Sequence, residues 1–301
     1  MIEPALQGMA HSHLDRKEPL LRPGNTNCGG CGMSIALNML SRGIGQRHVR
    51  MVIPACCGIV TAGPFPCSAY GAPVVAATFG SAPAFATGIA RAAQMNGEDT
   101  RVICFAGDGG TYDIGLQCLS SAAERNENIL YFCLDNEGYM NTGAQKSSST
   151  PHFARTGSTP AGKTTRKKNL TEIMAAHGVP YVATASVGHL DDLRRKVAKA
   201  KAMRGLRLIT LLIPCLDGWG LADDGALGAA RLAVASGAFP LLEVEDGVRW
   251  TVNSAAPTRP VADYLALQRR YRNLPAADVA ALQGEIDEGW ARLVQRAAAG
   301  Q

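Results

Sequence analysis

The chain has 301 residues, of which 47% are hydrophobic and 18% are charged, and its formal net charge is +5. This length and composition predict a substantial hydrophobic core, either as one large domain or as one domain with an appendage. The net charge is too small to call for a nucleic-acid partner. The apolar run at 208–214 is too short to span a membrane.

Residues 1–27 are predicted to form an arm without a core of its own. They carry charged residues and no sustained apolar region, which argues against a secretory signal and favours a cytoplasmic location. His11 and His13 are expected to be exposed polar residues, because no third metal ligand lies nearby. With nine cysteines and no signal, the chain favours metal ligands or buried thiols over a disulfide framework.

Helix and strand patterns alternate between residues 28 and 219. The predicted strands are 51–54, 73–79, 102–106, 129–134, 181–185 and 206–213, and the clearest predicted helices are 33–44, 83–95, 170–177 and 190–204. Ser81 is in position to cap the helix at 83–95. This alternation predicts an α/β fold with a doubly wound, mostly parallel sheet.

Two regions depart from that alternation. The polar loop at 144–168 carries six basic residues, and its sequence leaves open a solvated surface or a docking site for a partner or cofactor. Beyond Trp219 the pattern predicts a helix at 227–235, a hairpin at 239–252 and two helices within 260–299. Residues 220–301 are therefore predicted to be a C-terminal appendage that wraps the core or a neighbouring subunit.

The most informative stretch is 101–143. One predicted strand runs into Gly107-Asp108-Gly109-Gly110, and the next runs into Asp135-Asn136-Glu137-Gly138. Parallel sheets bind ligands at the carboxyl ends of their strands. The glycines let the backbone approach a diphosphate, and a following helix start offers free N–H groups. Asp108 and Asn136 supply the oxygen ligands that Mg²⁺ prefers, so the paired turns predict a metal–diphosphate site.

The cysteines form a second constellation. Cys28 and Cys31 have a C-x-x-C spacing, which is compatible with zinc, redox thiols or iron–sulfur ligation. Cys56, Cys57 and Cys215 follow predicted strands at the same sheet edge as the two turns. Four of these thiolates would suffice for a [4Fe–4S] cluster near the diphosphate site. The remaining thiols in predicted elements, Cys104, Cys118 and Cys133, are expected to be core residues.

The segments GDGGTYDIGLQ, DNEGYMNTGAQ and SSSTP resemble the thiamine diphosphate motif, and in detail the β chain of the 2-oxoacid:ferredoxin oxidoreductases, pyruvate branch. The resemblance covers roughly residues 20–220 and implies a thiamine diphosphate-binding fold for residues 28–219. It implies Mg²⁺ ligation by the side chains of Asp108 and Asn136 and by the Gly138 carbonyl. It also implies that the cofactor or substrate contacts Gly107, Gly109, Gly110, Asn141 and Thr142.

The same family has a C-x-G-C-G pair, a later single cysteine and one far downstream. By resemblance the [4Fe–4S] ligands are Cys28, Cys31, Cys57 and Cys215, with Cys57 beside the cofactor. Aligning PFPCSAY with the family's proline–aromatic segment favours Cys57, whereas a gap-free count from Cys31 favours Cys56. The choice between the two stays open at this point.

The resemblance implies oxidative decarboxylation of a 2-oxoacid with coenzyme A, in a complex with α, γ and δ subunits or fused equivalents and a ferredoxin-type acceptor. Gly138, Cys67 and Tyr70 stand where a pyruvate enzyme is expected to have Ala, Tyr and Trp, so an aryl 2-oxoacid such as phenylglyoxylate is an alternative substrate. Two other classes remain: a non-redox thiamine-dependent decarboxylase whose cysteines hold zinc or nothing, and a scaffold subunit with a decayed site.

Overall fold

Eight strands form one sheet at the centre of the protein, which a computed structural model describes for residues 19–44, 48–64 and 66–299. Residues 1–18, including His11 and His13, lie outside these ranges, so most of the predicted arm does as well. Within the described ranges, no helix combines the length and apolar character needed to cross a membrane.

The strands and helices follow the predicted alternation closely. The strands are β1 (Val49–Pro54), β2 (Val74–Ala77), β3 (Arg101–Gly107), β4 (Ile129–Asp135), β5 (Tyr181–Ser186), β6 (Arg207–Leu212), β7 (Leu242–Glu245) and β8 (Arg249–Val252). The helices are α1 (Gly32–Ile44), α2 (Cys57–Val60), α3 (Ala82–Met95), α4 (Leu116–Glu124), α5 (Leu170–Ala176), α6 (Leu190–Ala202), α7 (Leu216–Trp219), α8 (Ala226–Ala235), α9 (Val261–Ala266) and α10 (Ala276–Ala299).

The sheet order is β2-β1-β3-β4-β6-β5-β7-β8, and the pairs among the first six strands are parallel. In the central pair, Gly107 is opposite Leu134, so β3 and β4 end side by side. The prediction of a doubly wound, mostly parallel α/β sheet is confirmed. Its carboxyl edge carries the two glycine-containing turns.

Both faces of the sheet are covered by helices, which explains the nearly continuous apolar strands. All seven residues of β4 are buried. On β3, Ile103 and Phe105 point to the face covered by α1 and α6. Val102 and Cys104 point to the other face, where α3, α4, α5 and part of α10 pack. Cys104 and Cys133 are fully buried, as the sequence predicts.

Residues 220–299 add to this sheet and cover its end. The predicted hairpin is confirmed as β7 and β8, which pair antiparallel to each other and to β5. Asp246 and Gly247 both have positive φ, as a tight hairpin turn requires. Around Trp219, residues of α8, α9 and α10 form a further apolar cluster. This segment is therefore packed on the sheet through both strands and helices.

The start of α3 differs from its predicted form. Ser81 occupies the N-cap position, but its hydroxyl makes no cap hydrogen bond and instead lies 2.5 Å from the Thr78 hydroxyl. Pro83 in the first turn has no N–H to satisfy, which reduces the need for a side-chain cap.

Candidate functional site

A cavity of about 330 Å³ opens where β3 and β4 end. Its walls include Cys57 and all the residues that the sequence assigns to the cofactor or Mg²⁺: Gly107, Asp108, Gly109, Gly110, Asn136, Gly138, Asn141 and Thr142. Asn141 and Thr142 are exposed residues of this wall. The Thr142 hydroxyl is hydrogen-bonded to the Tyr139 carbonyl and the Gln145 amide oxygen. The parallel sheet thus brings the two turns into one concave site.

Three oxygen atoms converge inside this cavity. The Asn136 amide oxygen lies 2.9 Å from Asp108 Oδ1 and 2.9 Å from the Gly138 carbonyl oxygen. Exchanging the amide oxygen and nitrogen would turn both contacts into hydrogen bonds, whereas the present orientation directs Nδ2 at Cys57 Sγ, 3.8 Å away. Without a cation the exchanged orientation is favoured, because the amide nitrogen then donates to both acceptors; with a cation bound, the amide oxygen can face the same two oxygens. Adjacent ligands of an octahedral Mg²⁺ with bonds of 2.0–2.1 Å lie about 2.9 Å apart, so this donor set fits Mg²⁺.

Asp108 sits in an electrostatically unfavourable position when no cation is bound. It is 1% exposed, and the Ser147 hydroxyl donates a hydrogen bond of 2.5 Å to its Oδ2. Burial raises the pKa of Asp108 well above its ordinary range, and the negative charge of Asp135 raises it further. A bound dication favours the deprotonated carboxylate, so metal binding here is expected to release a proton.

The SSSTP segment frames both turns. The Ser149 hydroxyl donates to Asp135 Oδ1 at 2.6 Å, and the Thr150 hydroxyl donates to the Glu137 carbonyl at 2.7 Å. Together with the bond from Ser147 to Asp108, these contacts fix the acidic residues that end the two central strands. The sequence marked this segment only through its resemblance to a family, and the structure gives it a physical role.

The turn after Asp108 is wider than the regular helix start that the sequence suggests. Gly109–Asp113 forms a π-helical turn, and α4 begins only at Leu116. A Cβ added to Gly109 would lie 2.3 Å from the Tyr139 ring, whose hydroxyl donates to Asp113 Oδ2 at 2.8 Å. Single π turns often occur at functional sites. Glycine is needed at position 109 because an aromatic ring packs directly on the backbone.

The cysteines of the second constellation lie near one another beside this cavity. Cys31 N–H donates to the Cys28 carbonyl at 3.1 Å, which closes a tight turn. Burial, followed by the neighbouring thiols of Cys56, Cys215, Cys31 and Cys28, raises the pKa of Cys57 to about 12. Backbone N–H groups point at two sulfurs: Met33 to Cys31 at 3.4 Å and Gly218 to Cys215 at 3.3 Å.

Cys56 and Cys57 face different surroundings. Cys56 Sγ lies 4.0 Å from the Phe105 carbonyl of β3, whereas Cys57 faces Asn136 and the other thiols. Across the parts of the chain that the structure describes, no three His, Cys, Asp or Glu side chains are close enough to hold a metal ion as they stand. The donor chemistry of four neighbouring thiols suits an iron–sulfur cluster, although their sulfurs are not closed on one centre.

Several charged residues at the site escaped prediction. Lys167 Nζ binds Asp135 Oδ2 at 2.8 Å and Glu137 Oε1 at 3.0 Å, and Arg270 Nη2 binds Glu137 Oε2 at 2.5 Å. Lys163, which is 4% exposed, donates to backbone carbonyls of its own loop. Part of the loop at 144–168 is therefore buried in this protein rather than a solvated surface. No local pattern marks the ion pairs of Lys167 and Arg270, because their partners lie 30–133 residues away along the chain.

The positions that suggested extra room for a large substrate do not enlarge this cavity. Cys67 is exposed and is not among the cavity walls. Tyr70 is 3% exposed and donates to the Gly58 carbonyl. At Gly138, an added Cβ would lie 2.9 Å from the Gln145 carbonyl and from the Met140 side chain. The space that a smaller residue would leave there is already filled.

Comparison with known proteins identifies the family of this chain. Residues 61–211 match the model of the thiamine pyrophosphate enzyme, C-terminal TPP binding domain. Pyruvate synthase subunit PorB of Methanothermobacter thermautotrophicus is 42% identical over 277 residues, covering 90% of this chain and 96% of the relative. Ketoisovalerate oxidoreductase subunit VorB of Pyrococcus horikoshii is 42% identical over 284 residues, covering 90% and 91%.

Among solved structures, the 2-oxoglutarate:ferredoxin oxidoreductase from Magnetococcus marinus has a similar fold. Its TM-score is 0.59 at 24% identity, and the match covers 73% of this chain and 79% of that chain. The sequence relatives extend the likeness beyond residues 20–220 into the C-terminal segment, because they cover 90% of the chain. The chain therefore belongs to the family of 2-oxoacid:ferredoxin oxidoreductase subunits that contains these PorB and VorB proteins.

Proposed function

We propose that this chain is the β subunit of a complex that oxidatively decarboxylates a 2-oxoacid and transfers the acyl group to coenzyme A. The overall reaction is RCOCOO⁻ + CoASH → RCO–SCoA + CO₂ + 2e⁻ + H⁺, with the electrons passing to a ferredoxin-type acceptor. Family membership supports this function, and the grouping of Asp108, Asn136 and Gly138 within 2.9 Å contacts of the Asn136 amide is the observation that carries it for this chain.

In this proposal, Asp108, Asn136 and Gly138 hold Mg²⁺ and through it the diphosphate of thiamine diphosphate. Bound thiamine diphosphate supplies the carbanion chemistry that releases CO₂ from the 2-oxoacid. The glycines at 107, 109 and 110 line the cavity, and a Cβ at any of them would meet neighbouring protein atoms and disturb the wall that the diphosphate is proposed to contact. Asn141 and Thr142, on the exposed wall, are proposed to contact the diphosphate or the substrate.

The proposed cluster ligands are Cys28, Cys31, Cys57 and Cys215. Their mutual proximity, and the N–H groups directed at Cys31 and Cys215, support a site for thiolate-bound [4Fe–4S]. Cys57 is preferred over Cys56, because Cys57 faces the other three thiols. Cys57 Sγ also contacts Asn136 Nδ2, so the cluster would lie directly beside the thiamine site.

The chain is proposed to act only within an assembly. Relatives are named as subunits of larger enzymes, and the proposed partners are α, γ and δ chains or their fused equivalents. The α chain would supply the glutamate that contacts the aminopyrimidine ring, which nothing in the sequence of this chain supplies. A cytoplasmic location is part of the same proposal.

Pyruvate is the proposed substrate, and a branched 2-oxoacid such as ketoisovalerate is the second candidate. The names of relatives favour both, since a pyruvate synthase subunit and a ketoisovalerate oxidoreductase subunit are each 42% identical to this chain. Phenylglyoxylate is a weaker candidate, because the residues that suggested it do not widen the cavity.

Anaerobic purification of the complex tests the proposal. We expect thiamine, magnesium, iron and sulfide in the preparation, and reduction of a viologen dye that depends on a 2-oxoacid and coenzyme A. A panel of pyruvate, ketoisovalerate and phenylglyoxylate identifies the substrate. Copurified zinc in place of iron, with decarboxylation but no dye reduction, would support the non-redox decarboxylase instead. The absence of thiamine would support a scaffold.

A further inference from the structure

One residue of the proposed metal turn has a strained backbone. Glu137 lies between the ligands Asn136 and Gly138, and its φ is +64°, in the left-handed region that favours glycine. A non-glycine residue is strained in this region, because its Cβ approaches the following carbonyl oxygen. Such strain persists only where the surroundings impose it.

Two cations hold the Glu137 side chain in the interior. Arg270 Nη2 lies 2.5 Å from Oε2, and Lys167 Nζ lies 3.0 Å from Oε1. The Arg270 and Glu137 side chains are only 3% and 5% exposed. Each backbone polar group of Glu137 also has a partner, since its N–H donates to Asp135 Oδ1 and its carbonyl accepts from Thr150.

Arg270 also contacts the other side of the turn. Its guanidinium carbon lies 4.0 Å from the centre of the Trp219 ring. Trp219 Nε1 in turn donates to the Asn136 carbonyl at 2.8 Å. One arginine from the C-terminal segment, 133 residues beyond Glu137, thus holds the Glu137 carboxylate and, through Trp219, the peptide group that precedes the strained residue.

We propose that Arg270, assisted by Lys167, is a positioning residue that keeps Glu137 in its left-handed conformation. In that conformation the Asn136 amide lies 2.9 Å from both Asp108 Oδ1 and the Gly138 carbonyl oxygen. If Glu137 relaxed to negative φ, the backbone would rotate and move the Asn136 amide away from the Gly138 carbonyl. The inference rests on the proposed Mg²⁺ site, and it gives the C-terminal segment a role in cofactor binding.

Two substitutions at position 137 separate backbone strain from charge. Glu137→Gly and Glu137→Ala both remove the carboxylate, so Arg270 loses its ion-pair partner in both variants. Only glycine adopts φ +64° without strain. The measurement is the Mg²⁺-dependent dissociation constant of thiamine diphosphate for the assembled complex. The Ala variant should bind the cofactor about 5–30-fold more weakly than the Gly variant, because binding must then impose the strained turn.

The arginine is tested by rescue. Arg270→Met should weaken cofactor binding by about 10–100-fold, and the double variant Glu137→Gly/Arg270→Met should recover most of that loss. Arg269→Met, at the exposed neighbouring position, is the matched control and should bind as the wild type does. If the Gly and Ala variants bind equally, or if the double variant shows no recovery, the positioning role is wrong.

These results also separate this inference from the function on which it rests. If the wild-type complex binds thiamine diphosphate equally well with and without Mg²⁺, the metal site itself is wrong. If the wild type requires Mg²⁺ and the variants at positions 137 and 270 are unaffected, only the positioning role is wrong. The comparison of Gly with Ala needs no Arg270 variant, so it remains informative even if Arg270→Met does not fold.

Discussion

Asp108→Asn separates the stability of the free protein from cofactor binding. The buried Asp108 carboxylate lies near Asp135, and burial followed by this like charge raises its pKa. A carboxyl whose pKa is higher in the folded state binds more protons there than in the unfolded chain. Its contribution to stability is therefore present below its ordinary pKa and is lost as the pH rises. Asparagine has no such charge, so the free variant should be more stable at neutral pH, by about 1–3 kcal/mol.

The same substitution should weaken the binding of thiamine diphosphate, although it stabilises the free protein. Two unit charges 4 Å apart attract by about 4 kcal/mol at an effective dielectric constant of 20, and a dication doubles this to about 8 kcal/mol. Asp108 is already desolvated at 1% exposure, so its removal regains little hydration. The asparagine oxygen remains as a neutral ligand. We therefore expect at least a roughly 100-fold loss of Mg²⁺-dependent thiamine diphosphate affinity, which corresponds to about 2.7 kcal/mol.

The assay combines urea unfolding of the cofactor-free complex with calorimetric titration of thiamine diphosphate at several Mg²⁺ concentrations. Asp191→Asn is the matched control, because the Asp191 side chain is 91% exposed on α6. The Asp191→Asn variant should have the same stability to urea and the same affinity for thiamine diphosphate as the wild type. A variant at position 108 that retains wild-type affinity would refute the assignment of this carboxylate as a metal ligand. Lower stability of the cofactor-free variant would refute the electrostatic argument.

Three further predictions concern single side chains. Cys57→Ala should remove the iron–sulfur absorption of the complex, and Cys56→Ala should leave it, because only Cys57 faces the other thiols; the reverse result would exchange the two assignments. Gly109→Ala should destabilise the protein by about 1–3 kcal/mol in urea unfolding, because the new methyl group meets an aromatic ring. Gly88→Ala, with open space around it on α3, should instead stabilise it by about 0.5–1 kcal/mol. Burial lowers the pKa of Lys163 to about 8 from 10.5, so stability should rise between pH 8 and 10.5 through this group. Lys163→Met should remove that rise, and an unchanged pH slope would contradict it.

The sequence predicts the fold and the position of the site because both depend on local patterns. Short apolar runs predict the central strands, and each is followed at once by a glycine-containing turn. Parallel pairing of β3 and β4 then brings Asp108 and Asn136 to the same edge without any further information. The hairpin of β7 and β8 is equally local, since Asp246 and Gly247 mark its turn.

What the sequence does not predict depends on contacts across long separations. The partner of Glu137 is 133 residues away, and the ion pair buries an arginine that its own segment gives no reason to bury. Cys56 and Cys57 are adjacent at the end of a strand, where a difference of one residue changes the direction of a side chain. Spacing alone therefore leaves that pair undecided, and it is the packing of Cys56 against β3 that distinguishes them.

Diffraction at the manganese absorption edge, from crystals of the assembled complex grown with Mn²⁺ and thiamine diphosphate, tests the central claim most directly. The account predicts an anomalous peak in contact with the Asp108 carboxylate, the Asn136 amide oxygen and the Gly138 carbonyl, with Asn136 Nδ2 directed at Cys57. A peak bound elsewhere, or an Asn136 whose amide nitrogen faces Asp108 while the cofactor is bound, would contradict it.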